Sequence, residues 1–503
     1  MRSALALAFL FATACNPSAR PPKCPSQGGR WIELTTPHLA VVTDLGDDEA
    51  HAAAVDYETA FEELRAVAFP RAAEGPRITI VLFQNESERW AFRPVTSGAD
   101  YIDQANGDIE RSPTIILSAV AYPTEKWLAR EEFLHELTHR FVAFTYGAVP
   151  IWLNEGLAQY LSTMHVEDGM ATLGDLPYGY RLTRGYVASV GELLAVDRRT
   201  FYGNAQQTIA GENARLRYYR GSWAFVHFLH NGPPPIRAGF QAFIQRLDGG
   251  APLRDAWRET LGRVPKAEIE RGFSTYVTAD SWTGTELPLH LAQPASIERS
   301  VPLRDEEVHL LWARLANRSL PATDPRSEEA QLAEAERAAP GSPEVRYRRG
   351  CVALEQRHED DAAKYFEAAL ADAPDEPRYL FGALEAFAAE QASGVRGIRE
   401  KAQAWRTRLA ASARSADELS LVARTLADEG DDRGALHYAD AAILADRSSY
   451  GAFASRAFVH FRGSRYAEAV ADQEHALGIA WEGVDTAQLA RVLEAYRETL
   501  GAR

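Results

Sequence analysis

The chain has 503 residues, of which 46% are hydrophobic and 25% are charged, and its formal net charge is −16. This length suits two or three globular domains, each with enough apolar residues to bury a core. The acidic balance argues against nucleic acid as a partner, because phosphate binding requires concentrated lysine and arginine. No basic run in the sequence reverses that expectation.

The amino terminus carries the features of an export signal. A positive charge at Arg2 precedes the apolar run Ala4 to Ala12, which is too short to span a bilayer. The small residues Ala12 to Ala14 come directly before Cys15, an arrangement that resembles a bacterial lipoprotein signal. We therefore expect a signal peptide over residues 1–15 and a lipid anchor on Cys15, which attaches the protein to the bacterial cell envelope on its periplasmic or outer-membrane side. Secretion is the alternative, because Ala-x-Ala alone satisfies a signal peptidase.

Residues 16–30 are rich in proline, serine and glycine and have no apolar period, which predicts a flexible tether. No other segment is long and apolar enough for a transmembrane helix. Export implies an oxidising compartment, yet three cysteines form no disulfide framework. Besides Cys15 there are Cys24, in the tether, and Cys351, which is most simply a small buried apolar residue of a helix.

The segments before the central motif predict a sheet and one amphipathic helix. Trp31 to Asp44 favours a strand pair or an edge strand, and Glu49 to Phe69 has apolar residues on one helical face. Arg77 to Phe83 and Thr114 to Leu117 are short apolar runs of the kind that form buried strands.

The stretch from Glu131 to Tyr160 carries the strongest chemical signal. It contains the pattern HExxH, in which His135 and His139 lie on one face of a helix and can bind one metal ion. Glu136 follows the first histidine and points towards the open side of the metal, where a general base acts on a bound water. A catalytic zinc ion needs a third protein ligand, and Glu155 on the next helical stretch is the natural candidate.

The same residues resemble the gluzincin metallopeptidases. The motif Trp152 to Gly156, which contains Glu155, is similar to a motif of the zinc aminopeptidases. The spacing between HExxH and this second motif is shorter here than in those enzymes. The order of elements is closer to the bacterial peptidase-MA-like metallohydrolases. The resemblance implies an α+β zincin-like domain, which we place at residues 31–290, with Zn²⁺ as cofactor, His135, His139 and Glu155 as ligands and Glu136 as base.

Further tyrosines and histidines follow the central motif. Tyr218 to Gly221 resembles the Tyr-x-Lys-Gly motif of the zinc aminopeptidases, whose tyrosine hydroxyl stabilises the oxyanion. Tyr218, with Tyr219 as the alternative, is therefore the candidate oxyanion donor, although tyrosines at the start of an apolar helix also serve as core residues. His227 and His230 have no carboxylate partner in sequence and are interpreted as structural.

The rest of the first domain is predicted as follows. Met164 to Arg184 is interpreted as a loop, and a break in the chain is expected from Trp282 to Pro302, where Gly, Thr, Pro and Ser gather. Helices are expected at Ile236 to Leu247, Leu253 to Leu261 and Lys266 to Val277.

Residues 302–503 follow a 34-residue period, the length of a tetratricopeptide repeat. Copies begin at His309, Pro343, Ala416 and Tyr450, and an irregular copy with an insertion near Gly394 fits between the second and third of these. In the best copy the characteristic small, apolar and helix-ending positions are held by Gly350, Ala353, Ala362, Phe366, Ala369 and Pro374. The pattern resembles an all-α tetratricopeptide (TPR) solenoid of about five repeats. An ordinary helical bundle is the alternative.

Together these features predict an exported zinc metallopeptidase that hydrolyses peptide bonds through a zinc-bound water and the base Glu136. The repeats would bind a peptide or protein substrate, or a partner protein. One alternative is a catalytically silent lipoprotein whose repeats act as an assembly scaffold on a zincin-like platform. Another is a zinc hydrolase that acts on a non-protein amide.

Overall fold

A computed structural model gives the structure of most of the chain. Within the residues that it describes, the chain is mostly helical with a small mixed sheet, as an α+β domain followed by helical repeats requires. None of the described helices is long and apolar enough to cross a membrane. Cys15 lies outside the described residues, which are 22–72, 77–89, 91–92, 101–102, 115–119, 126–146, 149–177, 187–197, 200–201, 209–278, 282, 284–289, 291, 295–316, 320–390, 396–447, 449–480 and 486–501.

The first domain combines short strands with helices of very different length. Its described strands are β1 Ile32–Thr35, β2 Leu39–Thr43, β3 Ile78–Phe83, β4 Tyr101–Ile102, β5 Ile115–Ala119, β6 His165–Glu167, β7 Met170–Leu173, β8 Thr285–Pro288 and β9 Arg299–Pro302. Its described helices are α1 Asp47–Ala68, α2 Glu86–Arg89, α3 Lys126–Tyr146, α4 Ile151–Ser162, α5 Val190–Ala195, α6 Ile209–Asn231, α7 Pro234–Asp248, α8 Leu253–Glu259 and α9 Lys266–Tyr276.

Six strands form the main sheet, in the order β4-β5-β3-β2-β1-β9. Strands β2, β3 and β5 are parallel, whereas β4 and β9 lie antiparallel to their neighbours at the two edges. Strands β1 and β2 pair antiparallel, with Ile32 opposite Thr43. The segment Trp31 to Asp44 is therefore a strand pair inside the sheet and not an edge strand, the other structure that the sequence allows.

Helix α3, which carries the HExxH pattern, is fixed against α1 by apolar and ionic contacts. The Phe133 ring lies 4.5 Å from that of Tyr57, and Phe141 lies 5.1 Å from Phe61. Near the start of α3, the Arg130 guanidinium forms ion pairs of 2.8 Å with Asp56 and 2.6 Å with Glu63. These contacts set the position of the histidines one to two turns further along the helix.

The segment from Met164 to Arg184 is not only a loop, and in this respect the sequence interpretation is wrong. Strands β6 and β7 form an antiparallel hairpin in it, closed by Asp168 and Gly169, whose φ angles are 50° and 75°. Strand β8 pairs with β7 and lies inside the segment where the sequence predicts a break. The three strands form a second small sheet.

The first domain extends beyond its predicted limits of 31 and 290 at both ends. Strand β9 lies after residue 290 and pairs with β1. Residues 22–30, predicted as part of the tether, pack on the domain: the Trp31 indole nitrogen donates to the Lys23 carbonyl at 3.0 Å, and Cys24 is fully buried. Burial raises the pKa of the Cys24 thiol to about 11. The remaining tether residues, 16–21, lie outside the described part of the chain.

The repeat region consists of consecutive helices that pair as hairpins. The described helices are α10 Asp305–Leu315, α11 Glu328–Ala338, α12 Pro343–Glu355, α13 Glu359–Asp372, α14 Pro377–Glu390, α15 Arg396–Ser412, α16 Ala416–Glu429, α17 Asp432–Ala445, α18 Tyr450–Arg462, α19 Tyr466–Ile479 and α20 Thr486–Gly501. Each helix from α10 to α19 packs against its sequence neighbour, which gives five hairpins followed by α20.

Three of the four copy starts predicted from the 34-residue frame coincide with the first residue of a helix, and the first does not: α10 begins at Asp305, four residues before His309. Helices α12, α16 and α18 begin at Pro343, Ala416 and Tyr450, the positions at which the sequence predicts new copies. The irregular copy contains α15, which has 17 residues, whereas α13 and α17 have 14. Phe366 packs between two helices at glycines: a Cβ on Gly350 or Gly382 would lie 2.7 or 2.5 Å from its ring. Membership of the TPR family itself stays a prediction.

The first repeat helix packs directly on the main sheet. Trp312 of α10 lies 6.1 Å from Trp31 and 6.0 Å from Phe92, in a cluster that also contains Phe83. His309 of the same helix lies 3.2 Å from the Cys24 sulfur through Nε2 and 2.7 Å from the Gln331 amide oxygen through Nδ1. Because Nδ1 donates to that oxygen, Nε2 accepts from the thiol. The segment 22–30 therefore joins the sheet to the repeats.

A carboxyl group at the end of β2 predicts a pH-dependent stability. Burial raises the pKa of Asp44 to about 7 from 3.8, and the negative charge of Glu88 adds to the rise. Between these two values the folded chain binds more protons than the unfolded chain, so stability falls as the pH rises through the window. We expect Asp44→Asn to remove this fall in stability with rising pH.

The gain of Asp44→Asn in unfolding free energy should be about 1–2 kcal/mol at pH 8, allowing for solvent screening of a partly exposed group, and near zero at pH 4. Urea unfolding of both proteins across this pH range measures it. The matched control is Asp48→Asn, at an exposed position of α1. A pH-independent difference between Asp44→Asn and the wild type would contradict the assigned cause.

Candidate metal centre

Helices α3 and α4 bring together the three side chains that the sequence predicts as zinc ligands. His135 and His139, one turn apart on α3, have their Nε2 atoms 3.2 Å apart. From α4, Glu155 approaches both rings: Oε2 lies 3.6 Å from His135 Nε2, and Oε1 lies 3.7 Å from His139 Nε2. Two imidazole nitrogens and a carboxylate therefore face one point.

These separations fit a zinc ion. Zinc–nitrogen and zinc–oxygen bonds near 2.1 Å, arranged tetrahedrally, place neighbouring ligand atoms roughly 3.4 Å apart. The two nitrogens lie 3.2 Å apart, and each lies 3.6 or 3.7 Å from a different oxygen of Glu155, so all three distances are within a few tenths of an ångström of that value when the carboxylate is taken as one ligand. Three protein ligands leave the fourth position of a tetrahedral site open, as in catalytic rather than structural zinc sites.

The ligands differ in their access to solvent. The Glu155 side chain is 3% exposed, His139 is 13% exposed and His135 is 21% exposed. A carboxylate buried as deeply as that of Glu155 is costly unless a positive charge or hydrogen-bond donors compensate it. The carboxylate is thus the most deeply buried member of the group, and His135 is the most exposed.

Glu136, the predicted base, is also buried and lies on the same turn of α3 as the first ligand. Its neighbours Leu137 and Thr138 are buried, and the Thr138 hydroxyl donates to the Leu134 carbonyl at 2.7 Å. Glu136 does not belong to the group of three converging ligand atoms. The geometry therefore separates three converging side chains, which could hold a metal ion, from an adjacent carboxylate.

Close packing of α4 on α6 positions Glu155. A Cβ on the next residue, Gly156, would lie 2.6 Å from the Val226 Cγ2 atom and 2.7 Å from the Ser222 carbonyl oxygen. Real Cβ atoms do not approach other atoms this closely, so only glycine permits the observed separation of the two helices. The glycine of the Asn-Glu-Gly sequence is thus needed for packing.

We expect Gly156→Ala to destabilise the fold by about 1–3 kcal/mol, because the added methyl group forces the two helices apart. Glu155 would move with α4, so zinc affinity should fall as well. Thermal unfolding and zinc titration of the variant measure the two effects. The control is Gly478→Ala in α19, where nothing lies within 4 Å of a new Cβ. Equal stability of the two variants would show that the α4–α6 contact is not tight.

The two candidate oxyanion donors lie in the middle of α6, which begins at Ile209 and not at the tyrosines, as the sequence interpretation has it. Tyr218 and Tyr219 are half-buried on α6, one turn before Ser222, and their rings lie 5.6 and 5.0 Å from that of Phe201. At helical spacing, both flank the face of α6 that touches Gly156. The oxyanion role of either tyrosine stays a prediction.

His227 and His230 are core residues on α6. The His227 ring lies 2.7 Å from the Tyr276 hydroxyl through Nδ1, and His230 stacks on Tyr160 with the ring centres 4.7 Å apart. Burial lowers the pKa of His230 to about 4, so this imidazole is neutral at physiological pH. Within the described residues, neither histidine belongs to a group that could share a metal ion, and their structural role stays a prediction.

The structure also shows a group of possible ligands that the sequence interpretation missed. His38, Glu58 and Glu62 place one ligand atom each within 4.8 Å of one another. The signal in the sequence is the spacing of the two glutamates, which puts them on one face of α1. His38 comes from a turn of the sheet, and its approach to these glutamates depends on the tertiary fold.

The chain matches no protein-family model and no curated protein.

Proposed function

We propose that the protein is a zinc-dependent metallopeptidase that hydrolyses peptide bonds in a peptide or protein substrate. The convergence of His135, His139 and Glu155 on one point supports this function, because three ligands with an open fourth position are typical of catalytic zinc. The buried Glu136 beside them supplies the carboxylate that such a centre needs for hydrolysis. The proposed family is the gluzincins, in the peptidase-MA-like group.

The chain's own residues carry the proton transfers and the charge stabilisation. When bound, Zn²⁺ supplies a Lewis acid that polarises the scissile carbonyl and lowers the pKa of water. The Glu136 carboxylate accepts the proton of the attacking water and passes it to the leaving amine nitrogen. The hydroxyl of Tyr218 or Tyr219 donates a hydrogen bond to the oxyanion. Glu155 and the two histidines hold the reacting centre in place.

The sheet offers a way to hold an extended substrate. Among the described strands, β4, Tyr101–Ile102, lies at one edge of the main sheet and pairs with β5. An extended peptide can add to such an edge through backbone hydrogen bonds, which bind many sequences with little preference. This mode of binding suits a peptidase that acts on unfolded chains.

The five hairpins support a role in binding proteins. Stacked helical hairpins form extended surfaces that commonly bind a substrate or a partner protein. In the proposed arrangement, the repeats bind such a protein, and lipid on Cys15 attaches the molecule to the bacterial envelope. Secretion without lipid is the alternative location.

The size of the repeat region favours a second candidate function, that of a scaffold lipoprotein without catalysis. Its helices extend from Asp305 to Gly501, which is a large part of the chain. In such a protein the zincin-like domain would be a platform. A base beside an open metal position has no use in a purely structural site, and for this reason we favour the peptidase.

Cleavage of an unfolded protein by the purified chain tests the proposal. The chain should begin at residue 22, because removal of residues 22–30 would take away the buried Cys24 and its contacts. We expect cleavage that a zinc chelator abolishes and added Zn²⁺ restores. A chain that binds zinc at His135, His139 and Glu155 but cleaves no peptide, protein or amide would favour the scaffold. Cleavage that the chelator does not affect would contradict the proposed chemistry.

A further inference from the structure

We propose that His38, Glu58 and Glu62 form a second metal site, which binds a divalent first-row transition cation such as Zn²⁺. Imidazole and carboxylate ligands together suit such ions. The site is separate from the centre on α3 and α4, and the proposal does not depend on catalysis.

The three residues come from two elements that pack together. His38 lies in the turn between β1 and β2, and Glu58 and Glu62 lie one turn apart on α1. The Nδ1 atom of His38 is 2.6 Å from Glu58 Oε1 and 3.4 Å from Glu62 Oε1. One imidazole nitrogen therefore faces one oxygen of each carboxylate.

Other groups hold each ligand in this orientation. The second oxygen of Glu58 accepts hydrogen bonds from the Thr36 hydroxyl at 2.6 Å and from the His38 backbone N–H at 3.3 Å. The second oxygen of Glu62 accepts from Arg65 at 2.8 Å. The His38 ring stacks on Phe61, with the ring centres 4.4 Å apart and an interplanar angle of 15°. Supporting contacts of this kind orient the ligands of metal sites.

The distances require only a small adjustment to admit an ion. Ligand atoms of a tetrahedral zinc site lie roughly 3.4 Å apart, and the separation between Glu62 Oε1 and His38 Nδ1 already has this value. Glu58 Oε1 is closer to Nδ1, at 2.6 Å, and would move away by somewhat less than about 1 Å as an ion enters between them.

Charge and access are also suitable for a cation. Glu58 is 2% exposed, whereas His38 and Glu62 are 19% and 25% exposed, so the group has a buried floor and an open side. Two carboxylates with a neutral imidazole carry a charge of −2, and the Arg65 guanidinium beside Glu62 offsets one of these charges. The group therefore keeps a net negative charge that attracts a divalent cation. A protonated His38, paired with the two carboxylates, is the competing arrangement that an experiment must distinguish.

A cation here would stabilise the scaffold of the first centre. It would fix the β1–β2 turn to α1, and Phe61 of that helix packs on Phe141 of α3, two residues beyond His139. The role that follows is structural.

Zinc content of the full chain tests the proposal. Apo protein, prepared with a chelator, is equilibrated with Zn²⁺ alone, dialysed and measured for zinc per chain. We expect two zinc ions in the wild type and in the control Glu49→Gln, an exposed position on the same helix. We expect one ion in Glu62→Gln and in His38→Gln, and one in Glu155→Gln, which retains the second site. Zinc should raise the Tm of Glu155→Gln but not that of Glu155→Gln combined with Glu62→Gln.

The outcomes separate the two sites. Unchanged zinc content in Glu62→Gln would overturn the proposal. It would also be overturned if the wild type bound a single zinc ion and Glu155→Gln bound none. In either case His38 pairs as a cation with the two carboxylates. If Glu62→Gln loses an ion and Glu155→Gln does not, the second site stands and the ligand set of the proposed peptidase fails. Glu62→Gln keeps the size of a partly exposed side chain, so it decides the question even if His38→Gln does not fold.

Discussion

Glu136→Gln should leave zinc binding intact and lower kcat/KM for peptide cleavage by about 10³-fold. Glutamine keeps the shape of the side chain but cannot accept the proton of the attacking water, and general-base catalysis typically contributes about 10²–10⁴ to the rate. Zinc binding should persist because Glu136 is not one of the three converging ligands. The two effects together separate the role of this carboxylate from that of its neighbours.

The test combines zinc content with cleavage rates for the wild type and the variant. Glu167→Gln, at an exposed position of β6, controls for the loss of one negative charge. If Glu136→Gln keeps more than about a tenth of the wild-type rate, Glu136 is not the base. If the variant loses its zinc, the residue contributes to the metal site and the assigned separation of roles is wrong.

Glu155→Ala should remove one zinc ion per chain and abolish cleavage. The carboxylate supplies one of three ligands, and loss of a direct ligand should reduce affinity by at least about 100-fold, since loss of a mere supporting contact often costs 10–100-fold. Because the side chain is only 3% exposed, solvent cannot easily take its place. The remaining two histidines would bind the ion weakly.

Competition against a chelator of known affinity measures the zinc affinity of the variant. Asn154→Ala is the matched control, because Asn154 is the preceding residue of α4 and is not in the ligand group. We expect this control to keep the zinc content of the wild type. Equal zinc affinity of Glu155→Ala and Asn154→Ala would show that the third ligand is a different residue.

Features that depend on local spacing could be predicted from the sequence. The histidines of HExxH converge because i and i+4 share a helix face, and Glu155 meets them from the next helix. The same holds for the repeats, in which the 34-residue frame gives the first residues of helices at Pro343, Ala416 and Tyr450. In both cases periodicity carries the information.

Features that depend on pairing between distant segments could not be predicted in this way. Strand β9 pairs with β1, although most of the sequence of the first domain lies between them. The four residues of β9 are too few to show the alternation of apolar and polar residues that predicts a strand. The burial of Cys24 depends on His309, a residue of the first repeat helix. The hairpin at Asp168 and Gly169 is different, because Asp-Gly is a turn signal that the sequence contains and the interpretation overlooked.

The second ligand group illustrates the same limit. Glu58 and Glu62 show helical spacing in the sequence, but two acids on a helix face are usually solvated. Only the approach of His38, stacked on Phe61, makes the pair a possible metal site. Tertiary structure supplies this information, and spacing within one helix does not.

The central claim is that one zinc ion binds between His135, His139 and Glu155. Diffraction from crystals of the zinc-equilibrated protein, measured on both sides of the zinc absorption edge, tests it most directly. The account predicts an anomalous peak about 2.0–2.2 Å from both Nε2 atoms and from a Glu155 oxygen. Strong anomalous scattering elsewhere in the molecule with no peak between these three side chains would contradict the claim.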